Sequence, residues 1–150
     1  MTSKILPNQK KVIIAMSGGV DSSVAVVLLK EQDYQVEGVF MRLGVKGDEE
    51  SEKSARAVAD KLKIKFYVLD LSKEFKKKII NYFIFEYEKG RTPNPCVECN
   101  REIKFGLLVD KVLETGADFI ATGHYVKESR IKNQESRIIK LLKADDKNKD

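Results

Sequence analysis

Short apolar runs alternate with longer amphipathic stretches along the chain. Four runs are rich in β-branched or aromatic residues and stop at polar or glycine residues, which predicts buried strands at residues 11–16, 35–41, 65–69 and 119–121. Four stretches repeat apolar residues every three or four positions, which predicts helices at residues 22–30, 51–62, 71–87 and 100–114. Strands that alternate with helices imply right-handed crossovers. We therefore predict an α/β, Rossmann-like fold with a mostly parallel sheet flanked by helices.

Three segments depart from this alternation. Two prolines within residues 90–95 cannot continue a helix, so we expect a rigid, extended loop there. Residues 125–129 and 137–142 have strand patterns around residues 132–135, which predicts a hairpin. Residues 1–10 lack a periodic pattern and are expected to form a flexible tail.

The composition is that of one globular domain. The chain has 150 residues, of which 42% are hydrophobic and 34% charged, so it can bury a core without disulfides. The formal net charge of +5 is compatible with a polyanionic partner and equally with a lysine-rich solubilising surface. No apolar run reaches the ~18 residues of a membrane span, and no secretory signal precedes the first strand. We therefore expect no membrane partner. A single cysteine pair in an otherwise cysteine-free chain is typical of a reducing compartment, so we expect a cytoplasmic protein.

The turn after the first predicted strand has the chemistry of an anion site. Gly18 and Gly19 allow a tight turn with open N–H groups, and the following helix adds unpaired amides and the positive end of its dipole. The turn lacks the Walker lysine and the dinucleotide fingerprint. It instead places Asp21 at the helix start, and a carboxylate beside phosphate oxygens requires a bridging cation, which predicts Mg²⁺. The alternative is that Asp21 and Ser22 only cap an ordinary strand–helix turn.

The two cysteines, Cys96 and Cys99, follow the proline-rich loop. A helix that starts near Cys99, with Arg101 and Lys104 close by, is expected to lower the pKa of this thiol and make it a nucleophile or a ligand. A CxxC pair also fits half of a zinc site, a thioredoxin-type dithiol or two inert buried thiols. The sequence has no third cysteine and His124 is its only histidine, so the pattern by itself does not choose among these alternatives.

Several motifs resemble one enzyme family. Residues 17–22 (SGGVDS) resemble the PP-loop of N-type ATP pyrophosphatases residue for residue. Residues 90–95 (GRTPNP), 99–105 (CNREIKF) and 121–125 (ATGHY) are similar in order and spacing to the tRNA-uridine 2-thiouridylases of that family. The resemblance runs from Lys11 to the end of the chain. It implies an adenine nucleotide alpha hydrolase-like fold and ATP-dependent 2-thiolation of the wobble uridine of tRNA.

The resemblance also implies roles for individual residues. Cys99 matches the nucleophilic cysteine, Asp21 is the second implied catalytic residue, and Asn94, Pro95 and Cys96 match the segment that touches the target base. ATP contacts are implied for Ala15, Met16, Ser17, Gly18, Gly19, Val20, Asp21, Ser22, Met41 and Gly123. The implied cofactors are ATP and Mg²⁺, with AMP and pyrophosphate as products. The implied partners are tRNA and a sulfur-donor protein, either a cysteine desulfurase or a sulfur relay.

Cys96 bears on the sulfur chemistry. Members with cysteine here are associated with an iron–sulfur cluster held by this pair and a third, later cysteine, whereas members with aspartate use a persulfide and a later cysteine. Thiolates suit such a cluster, so Cys96 and Cys99 favour a [4Fe–4S] site whose third ligand this chain lacks. Residues 11–150 are accordingly expected to be an incomplete catalytic domain, without the family's central and C-terminal β-barrel domains. We expect it to hold nucleotide but not to complete thiolation alone.

Two other functions fit parts of the pattern. A PP-loop ligase or amidotransferase would adenylate another substrate, although amination does not require the Pro-Asn-Pro-Cys loop. A non-catalytic metal- or RNA-binding domain would use only the cysteines or the basic residues. Basic residues within 73–78 and 91–104 could contact an RNA backbone or form a solvated surface. His124 could contact a nucleotide or only satisfy its own loop.

Overall fold

The computed structural model describes residues 9–133 and 136–143, with side chains described as far as Val126. The strands are β1 Lys11–Ala15, β2 Gln35–Arg42, β3 Lys65–Asp70, β4 Phe119–Ala121, β5 Val126–Asn133 and β6 Ser136–Lys143. The helices are α1 Val20–Glu31, α2 Asp48–Leu62, α3 Ser72–Phe75, α4 Asn81–Glu88, α5 Pro95–Cys99 and α6 Leu108–Leu113. Two π-helical segments, Lys76–Ile80 and Asn100–Leu107, join α3 to α4 and α5 to α6.

Strands β1 to β4 form one parallel sheet in the order β3-β2-β1-β4. In the centre of this sheet, Ile13 of β1 lies opposite Glu37 of β2 and Ile120 of β4. The α/β prediction is therefore confirmed. Because parallel strands end at the same edge, the segments that follow β1, β2 and β4 meet there, which is where such sheets bind ligands.

The hairpin prediction is also confirmed. Strands β5 and β6 pair antiparallel as a separate two-stranded sheet, with Val126 opposite Lys143 and Asn133 opposite Ser136. The tip of the hairpin at residues 134–135, like most of the predicted N-terminal tail, lies outside the described residues.

Alternate residues of β1 supply two cores on opposite faces of the sheet. Ile14 belongs to the core that includes Val26 of α1 and Ala55 of α2, whereas Ile13 belongs to the core that includes Leu108 of α6. This is the side-chain alternation of a strand covered on both faces. The sheet edge that carries the site is consequently held by packing from both sides.

A third core cluster adjoins the second, since Met41 and Leu69 pack against both. Leu71 and Ile79 pack there with Cys99 and Ile103, so the two π-helical segments share one apolar contact. The helix predicted over residues 71–87 is found at that place, but its middle turn is wound as a π-helix.

One predicted boundary is wrong. The helix expected over residues 100–114 begins five residues earlier, at Pro95. Proline is compatible with the first helical position because the N–H that it lacks has no partner there. The side chain of Asn94 completes the cap, since its Oδ1 accepts a hydrogen bond from the Val97 amide at 3.2 Å. Cys96 and Cys99 therefore lie on a helix and not in an extended loop.

Candidate functional site

The phosphate loop, defined as residues 17–22, joins β1 to α1 at the carboxyl edge of the sheet. Gly18 has a φ of +78°, and a Cβ on it would lie 2.5 Å from the backbone oxygen of Ser51. Only glycine fits this close approach. Gly19 is the N-cap of α1 and no side chain caps this helix. Asp21 and Ser22 lie inside its first turn, so the alternative that they only cap the helix is wrong.

Serine hydroxyls hold the loop in shape. Ser22 and Ser23 each donate from Oγ to the carbonyl oxygen of Gly19, at 3.2 and 2.8 Å. The Ser17 amide donates to Ser22 Oγ at 3.3 Å. Uncapped amides at the start of a 12-residue helix, together with hydroxyls, form a favourable environment for an anion.

Asp21 is tied to the segment that follows β4. The hydroxyl of Tyr125 donates a hydrogen bond to Asp21 Oδ1 at 2.7 Å, across 104 positions of sequence. This contact orients the carboxylate of Asp21 and links the phosphate loop to the segment that follows β4.

A cleft of about 360 Å³ lies between these strand ends. Seven of the ten residues with an implied ATP contact line it, namely Ala15, Met16, Ser17, Asp21, Ser22, Met41 and Gly123. The other three, Gly18, Gly19 and Val20, belong to the turn and the helix start without lining the cleft. The volume lies within the range of small-molecule sites.

The cleft wall also contains residues that were not predicted from the sequence to contact a ligand, namely Phe40, Leu43, Asp48, Ser51 and Thr122. Asp48 is the clearest omission. Its Oδ2 accepts hydrogen bonds from the amides of Leu43, Gly44 and Val45 at 2.8, 2.7 and 3.2 Å. Asp48 therefore fixes the loop after β2, and an acidic residue four positions after a glycine at a strand end was the available signal.

Gly123 and His124 form the wall opposite the phosphate loop. A Cβ on Gly123 would lie 3.0 Å from the Ser22 amide nitrogen, so the absence of a side chain lets the two segments approach closely. His124 Nδ1 lies 2.8 Å from Thr122 Oγ1, and its ring centroid is 5.3 Å from that of Phe105. Burial, and secondly the charge of Lys104, lower the pKa of His124. The imidazole is therefore mostly neutral at pH 7.

Cys99 does not have the environment that we predicted. It is 8% exposed and packs in the third core cluster, and it does not line the cleft. Burial raises the pKa of its thiol, while the nearby charge of Lys104 acts in the opposite direction. Arg101, the other expected cation, is engaged with Glu98 at 2.6 Å and with Glu102 at 3.2 Å. The expected net lowering of this pKa is therefore wrong.

The segment implied to touch the target base also lies outside the cleft wall. Asn94 caps α5, Pro95 is its first residue, and Cys96 is exposed in its first turn. None of these residues lines the cleft, although the cluster that contains Cys99 packs against Met41 and Leu43 of the cleft wall.

Metal binding differs between the two sites. No group of three or more His, Cys, Asp or Glu side chains converges within the part of the chain whose side chains are described. Cys96 and Cys99 supply two thiols, one exposed and one buried, which do not by themselves fit a cluster. In the cleft, Asp21 lies beside serine hydroxyls, an oxygen donor set that fits Mg²⁺.

Among residues 9–133 and 136–143, no helix is both long enough and apolar enough to span a bilayer.

The sequence is similar over most of its length to one protein family and to curated proteins that share one name. Residues 10–150 match the family model described as tRNA methyl transferase HUP domain. The tRNA-specific 2-thiouridylase MnmA of Christiangramia forsetii is 47% identical over 150 residues, covering 94% of this chain and 38% of that protein. The protein of the same name from Clostridium botulinum (strain Alaska E43 / Type E3) is 48% identical over 153 residues, covering 95% and 41%.

The chain thus spans about two-fifths of the length of the curated relatives that it matches. Among solved structures, a protein from Methanocaldococcus jannaschii described as a predicted subunit of tRNA methyltransferase is 22% identical. It superposes with a TM-score of 0.54 over 86% of this chain and 57% of that chain, which is a likeness of fold.

Proposed function

The chain belongs to the tRNA methyl transferase HUP domain family, and we propose that it binds Mg-ATP for the 2-thiolation of the wobble uridine of tRNA. The observation that carries this proposal is the cleft in which the phosphate loop meets Gly123, because seven residues with an implied ATP contact line it. The relatives that are 47% and 48% identical, named as 2-thiouridylases, support the choice of reaction.

The cleft offers two chemical environments that suit a nucleotide. The Ser17 hydroxyl and the first amides of α1 supply hydrogen-bond donors for phosphate oxygens. Phe40 and Met41 supply apolar surface for a base. Asp21 with the serine hydroxyls would hold Mg²⁺, which neutralises phosphate charge when bound.

The proposed first step is adenylation. The C2 oxygen of the uridine attacks the α-phosphate, and an O–P bond forms. The bond from this phosphorus to the bridging oxygen breaks, and its electron pair leaves with pyrophosphate. The uridine must leave its base stack to reach the cleft, as enzymes that act on bases generally require. The outer sulfur of a persulfide on Cys99 then attacks C2, and the C–O bond to AMP breaks. A second thiol, from the later cysteine of the full-length polypeptide, attacks Cys99 Sγ and breaks the S–S bond, so that 2-thiouridine leaves and a disulfide remains on the protein.

The proposed role of Cys99 requires a movement of α5. The thiol is buried and outside the cleft wall, so it cannot reach a base there in this arrangement. The neighbouring Asn100 supports such a movement, because its Oδ1 is buried without a hydrogen-bond partner among the described atoms. A buried unpaired polar group costs about 1–3 kcal/mol. A shift of α5 would relieve this cost and bring Asn94, Pro95 and Cys96 towards the base.

The proposed partners are tRNA and a sulfur-donor protein, in the cytoplasm. Lys73, Lys76 and Lys77 are exposed and form no ion pair among the described side chains, whereas Lys78 pairs with Glu102. Such lysines suit a phosphate backbone. We assign residues 11–150 to the nucleotide-binding part of the catalytic domain. The other groups that thiolation requires would come from regions that the relatives have outside this match.

Binding and chemistry can be tested separately. Calorimetry on the 150-residue chain is expected to detect Mg-ATP binding, and Asp21→Asn is expected to weaken the Mg²⁺-dependent part of the affinity. Asp110→Asn is the matched control, since Asp110 lies exposed on α6. A chain that does not bind Mg-ATP would contradict the proposal.

The reaction is tested in the full-length polypeptide that carries this sequence. It is incubated without oxygen with unmodified tRNA, Mg-ATP and a sulfur source, and the digested nucleosides are analysed by mass spectrometry. We expect 2-thiouridine from the wild type, and a loss of at least about 100-fold in Asp21→Asn and in Cys99→Ala. Formation of AMP without a thiolated base would instead favour a PP-loop ligase that adenylates another substrate.

A further inference from the structure

The cleft carries little positive charge for a site that would hold a triphosphate. Lys104 is the one lysine or arginine among the described side chains that form its wall. The two carboxylates of the wall, Asp21 and Asp48, oppose a phosphate, although the backbone amides of the loop after β2 already satisfy Asp48. Phosphate oxygens that are not bound by Mg²⁺ therefore need another positive charge close to them. Among the described side chains of the wall, Lys104 supplies it.

The π-helical segment accounts for the position of Lys104. In an α-helix, side chains three or four residues apart are neighbours. Where hydrogen bonds run from residue i to residue i+5, residues five apart become neighbours. Lys104 is five residues after Cys99 and lies in the segment Asn100–Leu107. The next residue, Phe105, contacts the ring of His124, which holds this segment against the segment that follows β4.

Other cations around Lys104 are engaged elsewhere. Arg101 pairs with Glu98, and Lys78 pairs with Glu102 at 2.5 Å. Lys104 is half-buried and forms no ion pair with any carboxylate among the described side chains. Lys104 lines the cleft, and it lies five residues after Cys99 in the continuous helix that α5 begins. The Lys104 ammonium group is therefore available to an anion that binds in the cleft.

We propose that Lys104 binds the reacting phosphate of the nucleotide and is a further catalytic residue. The inference rests on the proposed function. The phosphate loop would hold the terminal phosphates, and Lys104, which lines the same cleft, would hold the phosphate that reacts with the base. Its N–H groups donate to α-phosphate oxygens. As the bond between the α-phosphorus and the bridging oxygen breaks, Lys104 stabilises the charge that accumulates on the phosphate oxygens.

Two alternative roles for Lys104 lead to different binding results. A merely solvated lysine would leave nucleotide affinity unchanged when it is replaced. A lysine that only tunes Cys99 would change the reactivity of the thiol without changing nucleotide affinity. Affinities for Mg-ATP and for adenosine, which lacks phosphate, distinguish both of these roles from direct phosphate binding.

The decisive experiment compares Lys104→Gln, Lys104→Arg and Lys111→Gln by calorimetry. Lys111 lies exposed on α6 and pairs with Glu114, so it controls for the loss of one positive charge outside the cleft. We expect Lys104→Gln to weaken Mg-ATP about 10- to 100-fold and to leave adenosine affinity unchanged, because charge-assisted hydrogen bonds to phosphate are lost. Lys104→Arg is expected to retain most of the affinity, and Lys111→Gln all of it.

Equal Mg-ATP affinity in Lys104→Gln and the wild type would overturn the inference while leaving the proposed function intact. A wild type that binds adenosine but not Mg-ATP, or neither, would remove the proposed function and the inference together. Circular dichroism checks the fold of each variant. If Lys104→Gln does not fold, Lys104→Met preserves the aliphatic stem that packs in the wall and replaces it in the comparison.

A second measurement needs no variant. His124 is the only histidine of the sequence, so its ring protons are assigned without ambiguity in a proton NMR titration. Lys104 lowers the pKa of His124, so a phosphate that neutralises Lys104 should raise this pKa. We expect Mg-ATP to raise it and adenosine to leave it unchanged. No difference between the two ligands would contradict the proposed contact.

Discussion

The phosphate loop and the cysteine helix α5 carry the two most specific sequence motifs of this protein, yet their environments differ. The phosphate loop lies at the cleft with Ser17 and Ser22 facing it, in a conformation fixed by Gly18. Helix α5 places Cys99 in an apolar cluster that packs against Met41 and Leu43 of the cleft wall, and Cys99 itself does not line the cleft. The phosphate loop has its conformation in place without a ligand, whereas the thiol of Cys99 is buried.

This difference has a physical origin. A loop that binds an anion through backbone amides needs one conformation, and the sheet edge provides it at little cost. A thiol that must stay protected until a substrate is present gains from burial, because burial keeps it protonated. The raised pKa of Cys99 is consistent with that protected state. One motif therefore marks a preformed cleft, and the other marks a buried thiol that, under the proposed function, has to become exposed to react.

The largest effect is expected from crowding the preformed loop. Gly18→Ala places a Cβ 2.5 Å from the Ser51 oxygen at a φ of +78°. We expect the free energy of unfolding to fall by about 2–5 kcal/mol, since left-handed strain and overpacking add. Gly116→Ala is the matched control, because its φ is +74° with nothing within 4 Å of the added Cβ. Urea unfolding measures both, and equal losses would show that crowding at Gly18 is unimportant.

The next effect concerns the accessibility of the two cysteines. Cys96 is exposed and Cys99 is buried with a raised pKa, so iodoacetamide should modify Cys96 at least about tenfold faster. Because burial raises the pKa of the Cys99 thiol, its modification should continue to accelerate with pH where that of an ordinary thiol levels off. Peptide mass spectrometry follows both sites. The ratio should approach one in urea, and a ratio near one in the folded chain would show that α5 opens readily.

The smallest effect tests how α5 is anchored. Asn94→Ala removes the cap on the Val97 amide, and we expect a loss of about 1 kcal/mol in the free energy of unfolding. The same variant should speed the modification of Cys99, since a weaker helix start eases opening. Asn94→Asp keeps an oxygen acceptor and should preserve both properties. Unchanged Cys99 reactivity in Asn94→Ala would separate the cap from the opening of the helix.

Most of the fold was readable from the sequence. The four buried strands have unbroken apolar runs, and their predicted positions agree with the structure within one residue. The start of α5 was missed because prolines in residues 93–95 stop a preceding helix yet can begin a new one. The π-helical segments were also missed, since an extra residue per turn leaves the apolar spacing of a short stretch almost unchanged.

The candidate site also has parts that were predictable from the sequence and parts that only the structure shows. The sequence by itself determined the parallel sheet, the phosphate loop and the strand ends that meet at the cleft, because glycine geometry, helix amides and apolar periodicity are local properties. Only the tertiary structure decided that Cys99 is buried, that Asp48 secures the loop after β2, and that Lys104 enters the cleft. Burial and electrostatic neighbours depend on which distant segments pack together, and no local pattern specifies that.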